Sequence, residues 1–447
     1  MLGVNAVFHD PACALLVDGT IVAAAEEERF SRRKHGKVPV AFSTWELPEQ
    51  AAQWCLEFAG LTARDVDAVA YSYDPALAAP RSEDVVGENW EHLRTLYVER
   101  APHFLSTALP GLDRDVVRFV PHHVAHAASA YLAAPFSDSA VMVLDGRGEQ
   151  SSYLAGHVRD GRLEVLRRVE LPDSLGLVYE AVTEHLGFRR SSDEYKVMAL
   201  ASYGVPRHLD ALRRLVTLDG EGGFRTAPIQ WEDFTPARSD GEQWDADGAD
   251  LAASVQRRLE EIELGLADWL YARTGERVLT LAGGVALNCV ANTRLWAEGP
   301  FDELWVQPAA GDAGTALGAA LHAARELGDR IQPMTTAALG RGFDDTEIAA
   351  ALATAALPHD RCRSVAAAVA QVLAEDGVVG WFDGRSEWGP RALGHRSLLA
   401  NPCRAENLER LNDIKGREQF RPVAPMVLAE RAGEIFEGGP IPSPFML

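Results

Sequence analysis

One plan occurs twice in this chain, and it constrains the fold more than any other feature. LGVNAVF reads as a strand, ACALLV as a second, and the Asp18-Gly19 turn leads into TIVAAAEE as a third. From about residue 140 the plan returns: AVMVLD, a turn at Gly146-Arg147-Gly148, SSYLAGHV, a turn at Asp160-Gly161, then RLEVLRRVEL. An Asp-Gly pair between apolar runs signals a hairpin. A duplicated strand–loop–strand–hairpin–strand unit predicts two similar lobes with a cleft between them.

Strands and helices alternate around this plan, which predicts an α/β architecture. ELPEQAAQWCLEFAG reads as an amphipathic helix before the strand DAVAYS at 67–72. A long helix is expected over 249–274, followed by the strand RVLTLAG, the helix VALNCVANTRLWAEG and the strand ELWVQP. Two-lobed ATPases of the actin and hexokinase kind are built this way and hold ATP in the cleft. The expected fold is therefore a duplicated actin-like, sugar-kinase-like (ASKHA) one over residues 1–335. Residues 206–250, polar, acidic and glycine-rich, read as a solvated insertion. An Ala/Gly/Pro-rich stretch at 336–362 reads as a linker, and 363–447 as a second unit opening with a helix and a strand.

The formal charge of −22 argues against a nucleic-acid partner, which would need a basic face. No run approaches the roughly 20 apolar residues of a membrane helix. The start, MLGVNAVFHD, reads as a strand and lacks the basic opening of a signal peptide. Five scattered cysteines without CxxC spacing predict reduced thiols and a cytoplasmic setting.

The sharpest local signal is PHHVAHAASAY at 121–131. Pro121 suits a helix start, and the Ala-rich run that follows favours a helix. His122 and His126, four apart, share one helix face and can chelate one ion. His123 is expected to point elsewhere. Asp145 ends the strand AVMVLD, and Asp312 lies in the turn GDAGT ahead of an Ala-rich helix. Two imidazoles with two carboxylates suit Fe(II) or Mn(II) better than a structural zinc. Against this, an HxxxH pair on an Ala-rich helix also arises by chance.

LAGGVALN sets Gly283 and Gly284 between a strand and a helix, and GDAGTALGAA repeats the arrangement with Gly311 and Gly314. Backbone N–H groups at such junctions can approach phosphate. Asn288 is placed to reach a ribose or phosphate, and Lys196 to add charge. Arg391, Arg396, Lys415, Arg417 and Arg421 concentrate near the C-terminus of an otherwise acidic chain. Arginine forks hold phosphate or carboxylate oxygens bidentately; ordinary surface salt bridges are the competing reading. His9 or Asp10, on the first loop, is the candidate base for a hydroxyl, although a capped turn would also explain them.

In order along the chain, NAVFHDPACALLVDG, AAAEEERFSRRKHG, PHHVAHAASAY, VMVLDGRGE, EYKVMALASYG, LAGGVALNCVAN, QPAAGDAGTALGAA, GPRALGHRS and KGREQFRPVAPM resemble the bacterial O-carbamoyltransferases of natural-product pathways. These enzymes decorate aminoglycosides, cephalosporins, aminocoumarins, ansamycins and Nod factors. The resemblance implies two centres. A C-terminal domain similar to threonylcarbamoyl-adenylate synthases (YrdC-like) makes carbamoyl-adenylate from ATP and carbamoyl phosphate. The N-terminal domain passes the carbamoyl group to a hydroxyl of a small-molecule acceptor. It implies a ferrous ion on His122, His126, Asp145 and Asp312, and carbamoyl phosphate on Arg391, Arg396, Lys415 and Arg421. Family members continue beyond SPFML through segments carrying further arginines, so a partial second domain, weak or inactive in adenylate formation, is expected. Two other readings remain open: a transferase half fed carbamoyl-adenylate by a partner, and a non-catalytic nucleotide-binding protein of the same fold. Neither the acceptor nor the oligomeric state is legible.

Overall fold

A computed structural model describes residues 1–36, 46–78, 90–239, 241–242 and 244–447. The opening plan folds as expected, with β1 (Leu2–Asn5), β2 (Ala12–Val17) and β3 (Thr20–Glu26) forming an antiparallel meander. Asp18 and Gly19 both take positive φ (51° and 75°), the backbone that a tight two-residue hairpin demands. β4 (Val69–Tyr71) pairs parallel to β1, and β5 (Val117–Phe119) parallel to β4, giving the sheet order β3-β2-β1-β4-β5.

The second lobe repeats this topology. β6 (Ser139–Leu144), β7 (Ser151–Arg159) and β8 (Arg162–Glu170) form its meander, with Asp160 and Gly161 again at positive φ. A small hairpin, β9 (Val216–Leu218) with β10 (Phe224–Thr226), then intervenes. β11 (Val278–Ala282) pairs parallel to β6 and β12 (Glu303–Val306) parallel to β11, completing the order β12-β11-β6-β7-β8. Third, second, first, fourth, fifth strand: both sheets share one order and one set of directions. That identity establishes the duplicated actin-like fold.

Two helices, His122–Tyr131 and Ala313–Glu326, lie between the sheets. One core joins Ala14 and Leu16 of the first sheet to Val141 and Val143 of the second through Ala127, Ala128, Ala316 and Ala320. Small residues permit the approach: a Cβ on Gly318 would sit 1.7 Å from the Ala125 carbonyl oxygen, and one on Gly3 1.9 Å from that of Ala316. The Ala-rich text at 122–131 and 313–326 is thus the seam of the molecule. Separate cores fill the outer face of each lobe.

Residues 206–250 depart from expectation. Leu212, Val216, Phe224 and Trp231 are buried in the second lobe's outer core, with Phe224 against Tyr153. A few apolar residues dispersed among acids had hidden a packed segment; Asp240 and Gln243 lie outside the described residues. The long helix runs Ala246–Thr274, capped by Asp245 at its start and closed by Gly275 at φ 68°. The stretch read as a linker carries a helix, Asp345–Thr354, with a capping box from Asp344 and Glu347.

The last part of the chain holds the helix Val365–Ala374, the antiparallel pair β13 (Val379–Phe382) and β14 (Arg396–Leu399), and the helix Glu406–Ile414. It is tied to the first lobe by specific bonds. Gly389 N–H donates to Glu26 Oε1 at 2.8 Å, and Arg29 Nη2 donates to the Gly389 carbonyl at 3.0 Å. Trp388, 1% exposed, is embedded in the central core. Among the described residues no helix is long and apolar enough to cross a membrane, and all five cysteines are free.

Candidate metal centre and cleft

The seam helix starts at His122, with Pro121 in the cap position. The Glu149 carboxylate accepts the N–H of His122 at 2.8 Å and that of Asp74 at 2.8 Å, so an acid closes the helix N-terminus. Spacing of four brings the His122 and His126 rings to 4.7 Å, nearly perpendicular. Asp145 follows β6, and Asp312 stands at the start of the second seam helix. One ligand atom from each of these four residues lies within 4.8 Å of every other, and all four residues are buried.

The distances are those of ligands around a common point. His122 Nε2 is 3.3 Å from Asp145 Oδ2 and 3.7 Å from Asp312 Oδ1. His126 Nε2 is 3.6 Å and 3.5 Å from the same atoms. His122 Nδ1 faces the Ser72 carbonyl at 3.2 Å, which fixes the proton there and leaves the Nε2 lone pair inward. Both ring nitrogens of His126 are buried without a hydrogen-bond partner. Orphaned buried imidazole nitrogens are costly, and an ion among these four side chains would relieve the cost. The residues therefore fit a divalent cation.

Electrostatics agree. Burial would depress the His126 imidazole, but the Asp145 and Asp312 carboxylates outweigh it and raise it to about 9. His122 is raised by the same acids against its burial. Burial pushes Asp145 upward, yet the surrounding imidazoles hold it well below the usual carboxylate range. Two acids and two imidazoles attract positive charge, as protons or as metal.

His123, expected to point elsewhere, stays outside the tetrad but lies against it. It is buried, bonded through Nδ1 to Ser151 Oγ at 2.8 Å, and its Nε2 is 3.7 Å from Asp145 Oδ2. The ring packs against Gly148, where a Cβ would sit 2.9 Å away. It borders the centre because Asp145 is reached from two sides of one helical turn.

The glycine junctions surround the same acid. Gly284 N–H donates to Asp145 Oδ1 at 3.0 Å, and Gly283 N–H donates to the Ala310 carbonyl at 2.9 Å. Both donors are therefore engaged within the protein, which corrects the picture of free amides awaiting phosphate. Gly283, at φ 96°, and Gly314 are required by packing: a Cβ would fall 2.1 Å from the Leu144 oxygen and 2.0 Å from the Ala309 oxygen respectively. A Cβ at Gly284 would meet only Asp145 Oδ1, at 3.2 Å, and one at Gly311 only Leu287 Cδ1, at 3.6 Å. Asn288 is also engaged, exchanging hydrogen bonds with Gln256 at 2.8 and 3.2 Å and capping the Ala291 N–H at 3.1 Å. In this structure it organises the helix start.

Of the C-terminal cations, Lys415, Arg417 and Arg421 share one neighbourhood. Lys415 is depressed by burial and by its neighbours Arg417 and Arg421. Arg421 lies over the Tyr195 ring at 4.5 Å and 3.6 Å from Glu418. Lys196 joins them, paired with Asp193 at 3.0 Å and Glu418 at 2.6 Å. Its expected free charge is thus already neutralised by two acids. Arg391 instead donates to the Leu287 carbonyl at 2.6 Å, just after the Gly283-Gly284 junction, and its Nε is buried without a partner. Arg396 is depressed by burial and by the charge of Arg29. On the first loop, His9 Nδ1 and Asp10 Oδ2 are 2.9 Å apart, and the adjacent Phe8 packs edge-on against His122 at 5.0 Å.

A duplicated actin-like fold with a buried His/Asp tetrad at its seam defines the class. Similarity narrows it. Residues 1–321 match the family Carbamoyltransferase N-terminus, and residues 370–447 match Carbamoyltransferase C-terminus. A Synechocystis protein, sll1178, described as uncharacterized, is 36% identical across 100% of this chain and 78% of its own. Nodulation protein NolNO of Sinorhizobium fredii is 37% identical over 97% of this chain and 64% of its own, and nodulation protein U of that strain is 30% identical over 98% and 82%. Among solved structures, T. kodakarensis HypF is similar over 73% of this chain and 47% of its own, with TM-score 0.44 and 16% identity. The chain belongs to the carbamoyltransferase family, and so to the transferases.

Proposed function

We propose that this protein transfers a carbamoyl group, activated as carbamoyl-adenylate made from carbamoyl phosphate and ATP, to a hydroxyl of a small-molecule natural product such as an antibiotic. The observation that carries the reading is the tetrad itself, a cation-attracting centre bonded to the Gly284 amide inside a carbamoyltransferase chain. The match to the two carbamoyltransferase families supports carbamoyl as the group transferred, and a hydroxyl-bearing small molecule as its acceptor belongs to the proposal. Division into a transfer domain over 1–335 and a carbamoyl-activating unit over 363–447 belongs to the same proposal.

Carbamoyl is a poor acyl donor until its oxygen carries a good leaving group, and AMP is one. His122, His126, Asp145 and Asp312 would hold the divalent ion, Fe(II) or Mn(II) by donor set. When bound, such an ion supplies positive charge to phosphate oxygens as negative charge builds on the departing AMP. The nucleotide lies against the Gly284 and Gly311 junctions, near the centre. Lys415 and Arg421, which stand together, bind carbamoyl phosphate, and the family resemblance adds Arg391 and Arg396 to that role. His9, held by Asp10, takes the proton of the acceptor hydroxyl. Burial of the centre excludes water that would hydrolyse the mixed anhydride.

The test is incubation with ATP, carbamoyl phosphate and a panel of hydroxylated natural products, read as a mass gain of one carbamoyl group. A parallel arm supplies carbamoyl-adenylate directly. Product in the second arm alone assigns a transferase half that a partner feeds. Product in neither, with nucleotide binding retained, leaves a nucleotide-binding protein of this fold and removes the proposal.

A further inference from the structure

Three separate parts of the chain meet beside His9. The β1–β2 loop supplies His9 and Asp10, the segment after β3 supplies Lys34 and His35, and the turn before the helix Glu194–Ala201 supplies Ser192. Asp10 sits between two imidazoles: Oδ2 is 2.9 Å from His9 Nδ1, and Oδ1 is 2.9 Å from His35 Nδ1. The other nitrogen of His35, Nε2, is 3.0 Å from Ser192 Oγ, and Lys34 Nζ reaches the same hydroxyl at 3.0 Å.

The direction of every proton in this chain follows from chemistry. Lys34 has donors only, so Ser192 Oγ accepts from it. Asp10, a carboxylate, has no hydrogen to give His35, so a neutral His35 carries its proton on Nδ1 and offers Nε2 as acceptor. The Ser192 hydrogen goes there at 3.0 Å rather than to Asp193 Oδ1 at 3.5 Å. With its Nδ1 proton, His35 donates to Asp10. Asp10, an ionised carboxylate, accepts from both imidazoles. His9 is thereby fixed as the Nδ1–H tautomer, with the lone pair on Nε2. That is the form a base needs, and it parallels the way an aspartate holds the histidine of a hydrolase triad.

The backbone marks the same place as constrained. Phe8, Asp10, His35 and Ser191 are non-glycine residues at φ 38°, 46°, 61° and 56°. Left-handed backbone at ordinary residues is unfavourable and persists where surrounding structure enforces it, often at functional sites. Here the Asn5 amide enforces part of it, donating to the carbonyls of His9 and Asp10 at 2.7 and 2.9 Å.

We propose that His35 and Ser192 are positioning residues for carbamoyl transfer, closing a hydrogen-bonded relay across the two lobes that sets the tautomer of His9. The role rests on the transferase reading, but the relay itself can be observed without turnover. In protein with nitrogen-15 histidine, nuclear magnetic resonance should show His9 with its proton on Nδ1 and none on Nε2. Ser192→Ala and His35→Ala should convert it to a mixture of tautomers, and Ser192→Thr, which keeps the hydroxyl, should restore the single form. In transfer assays, kcat should fall about 10-fold in Ser192→Ala and at least about 100-fold in His35→Ala, with KM for the acceptor unchanged and Ser192→Thr near wild type. An unaltered His9 tautomer in both alanine variants would overturn the relay. So would a carbamoyl group retained on the Ser192 peptide, which would make the serine a nucleophile. A Mn(II) ion bound by His9, Asp10 and His35 in Asp145→Asn protein would overturn it as well. If the wild type transfers to no acceptor, the transferase reading fails and the tautomer measurement alone decides the relay.

Discussion

The Gly284 amide donates to Asp145 Oδ1 at 3.0 Å, and this bond turns the other oxygen of Asp145 toward the imidazoles, 3.3 Å from His122 and 3.6 Å from His126. A residue marked by sequence as a phosphate cradle is therefore a support of the candidate metal ligand. Cradle and centre are one construction, so perturbing either should disturb both.

Metal binding tests the centre directly. Wild-type protein should take up one equivalent of Fe(II) or Mn(II) and gain thermal stability from it, about 2.7 kcal/mol when free ion is 100 times Kd. Asp312→Asn and His126→Ala should weaken binding by at least about 100-fold, in line with the loss of one inner ligand or its support. Calorimetry and metal analysis supply the readout. Unchanged stoichiometry in both variants would show that the ion, if any, lies elsewhere.

The two adjacent glycines should behave differently. At Gly284 a Cβ meets only Asp145 Oδ1, at 3.2 Å. Gly284→Val should keep the fold yet lose nucleotide binding and weaken metal binding, both measurable by calorimetry. At Gly283 the Cβ would fall 2.1 Å from the Leu144 oxygen on a backbone at φ 96°. Gly283→Ala should destabilise the protein by roughly 2–4 kcal/mol, seen as a lowered denaturation midpoint. Equal behaviour of the two variants would contradict this division.

How much of this was legible beforehand depended on whether a feature is local. Hairpins marked by Asp18-Gly19 and Asp160-Gly161 were legible because turn chemistry is local. The tetrad was legible in part because helix spacing sets His122 against His126, while Asp145 at a strand end and Asp312 in a glycine-rich turn stood as candidates that the family pattern also pointed to. What lay hidden depended on long-range partners. Asn288 reads as a ligand contact until Gln256, on another helix, is seen bonded to it. Leu212 and Trp231 are too widely spaced among acids to announce a core. His35 stood in the quoted KHG text, but only the fold brings Ser192 and Asp10 to its two nitrogens.

A pH effect on stability follows from Glu263, buried in the long helix at 3% exposure. Burial, reinforced by the nearby Glu260, pushes its carboxyl up to about 8. A carboxyl raised in the folded state holds its proton better there than in the unfolded chain. Its contribution is favourable below the unfolded value, near 4.5, and is lost as pH rises toward about 8. Stability should therefore fall across that window by on the order of a few kcal/mol from this group. Glu263→Gln should flatten the fall, with denaturation midpoints similar to wild type at pH 5 and higher at pH 8. Parallel pH curves for the two proteins would show that Glu263 is solvated or paired.

Arg421 tests whether activation and transfer are separable. It stacks over Tyr195 of the second lobe at 4.5 Å while standing beside Lys415 and Arg417 of the C-terminal part, so it faces both regions. A phosphate held by charge-assisted hydrogen bonds should lose roughly 1.5–3 kcal/mol with each one removed, which is about 10- to 150-fold. Arg421→Ala should lose that much in carbamoyl-adenylate formation, measured as pyrophosphate release from ATP and carbamoyl phosphate. Transfer from supplied carbamoyl-adenylate should continue, because the tetrad and His9 are untouched. Tyr195→Leu removes the stacking surface and leaves the charge, so its effect on adenylate formation should be several-fold smaller. If Arg421→Ala abolishes both half-reactions while the protein remains folded, the arginine serves a single shared site, and the division into two centres is wrong.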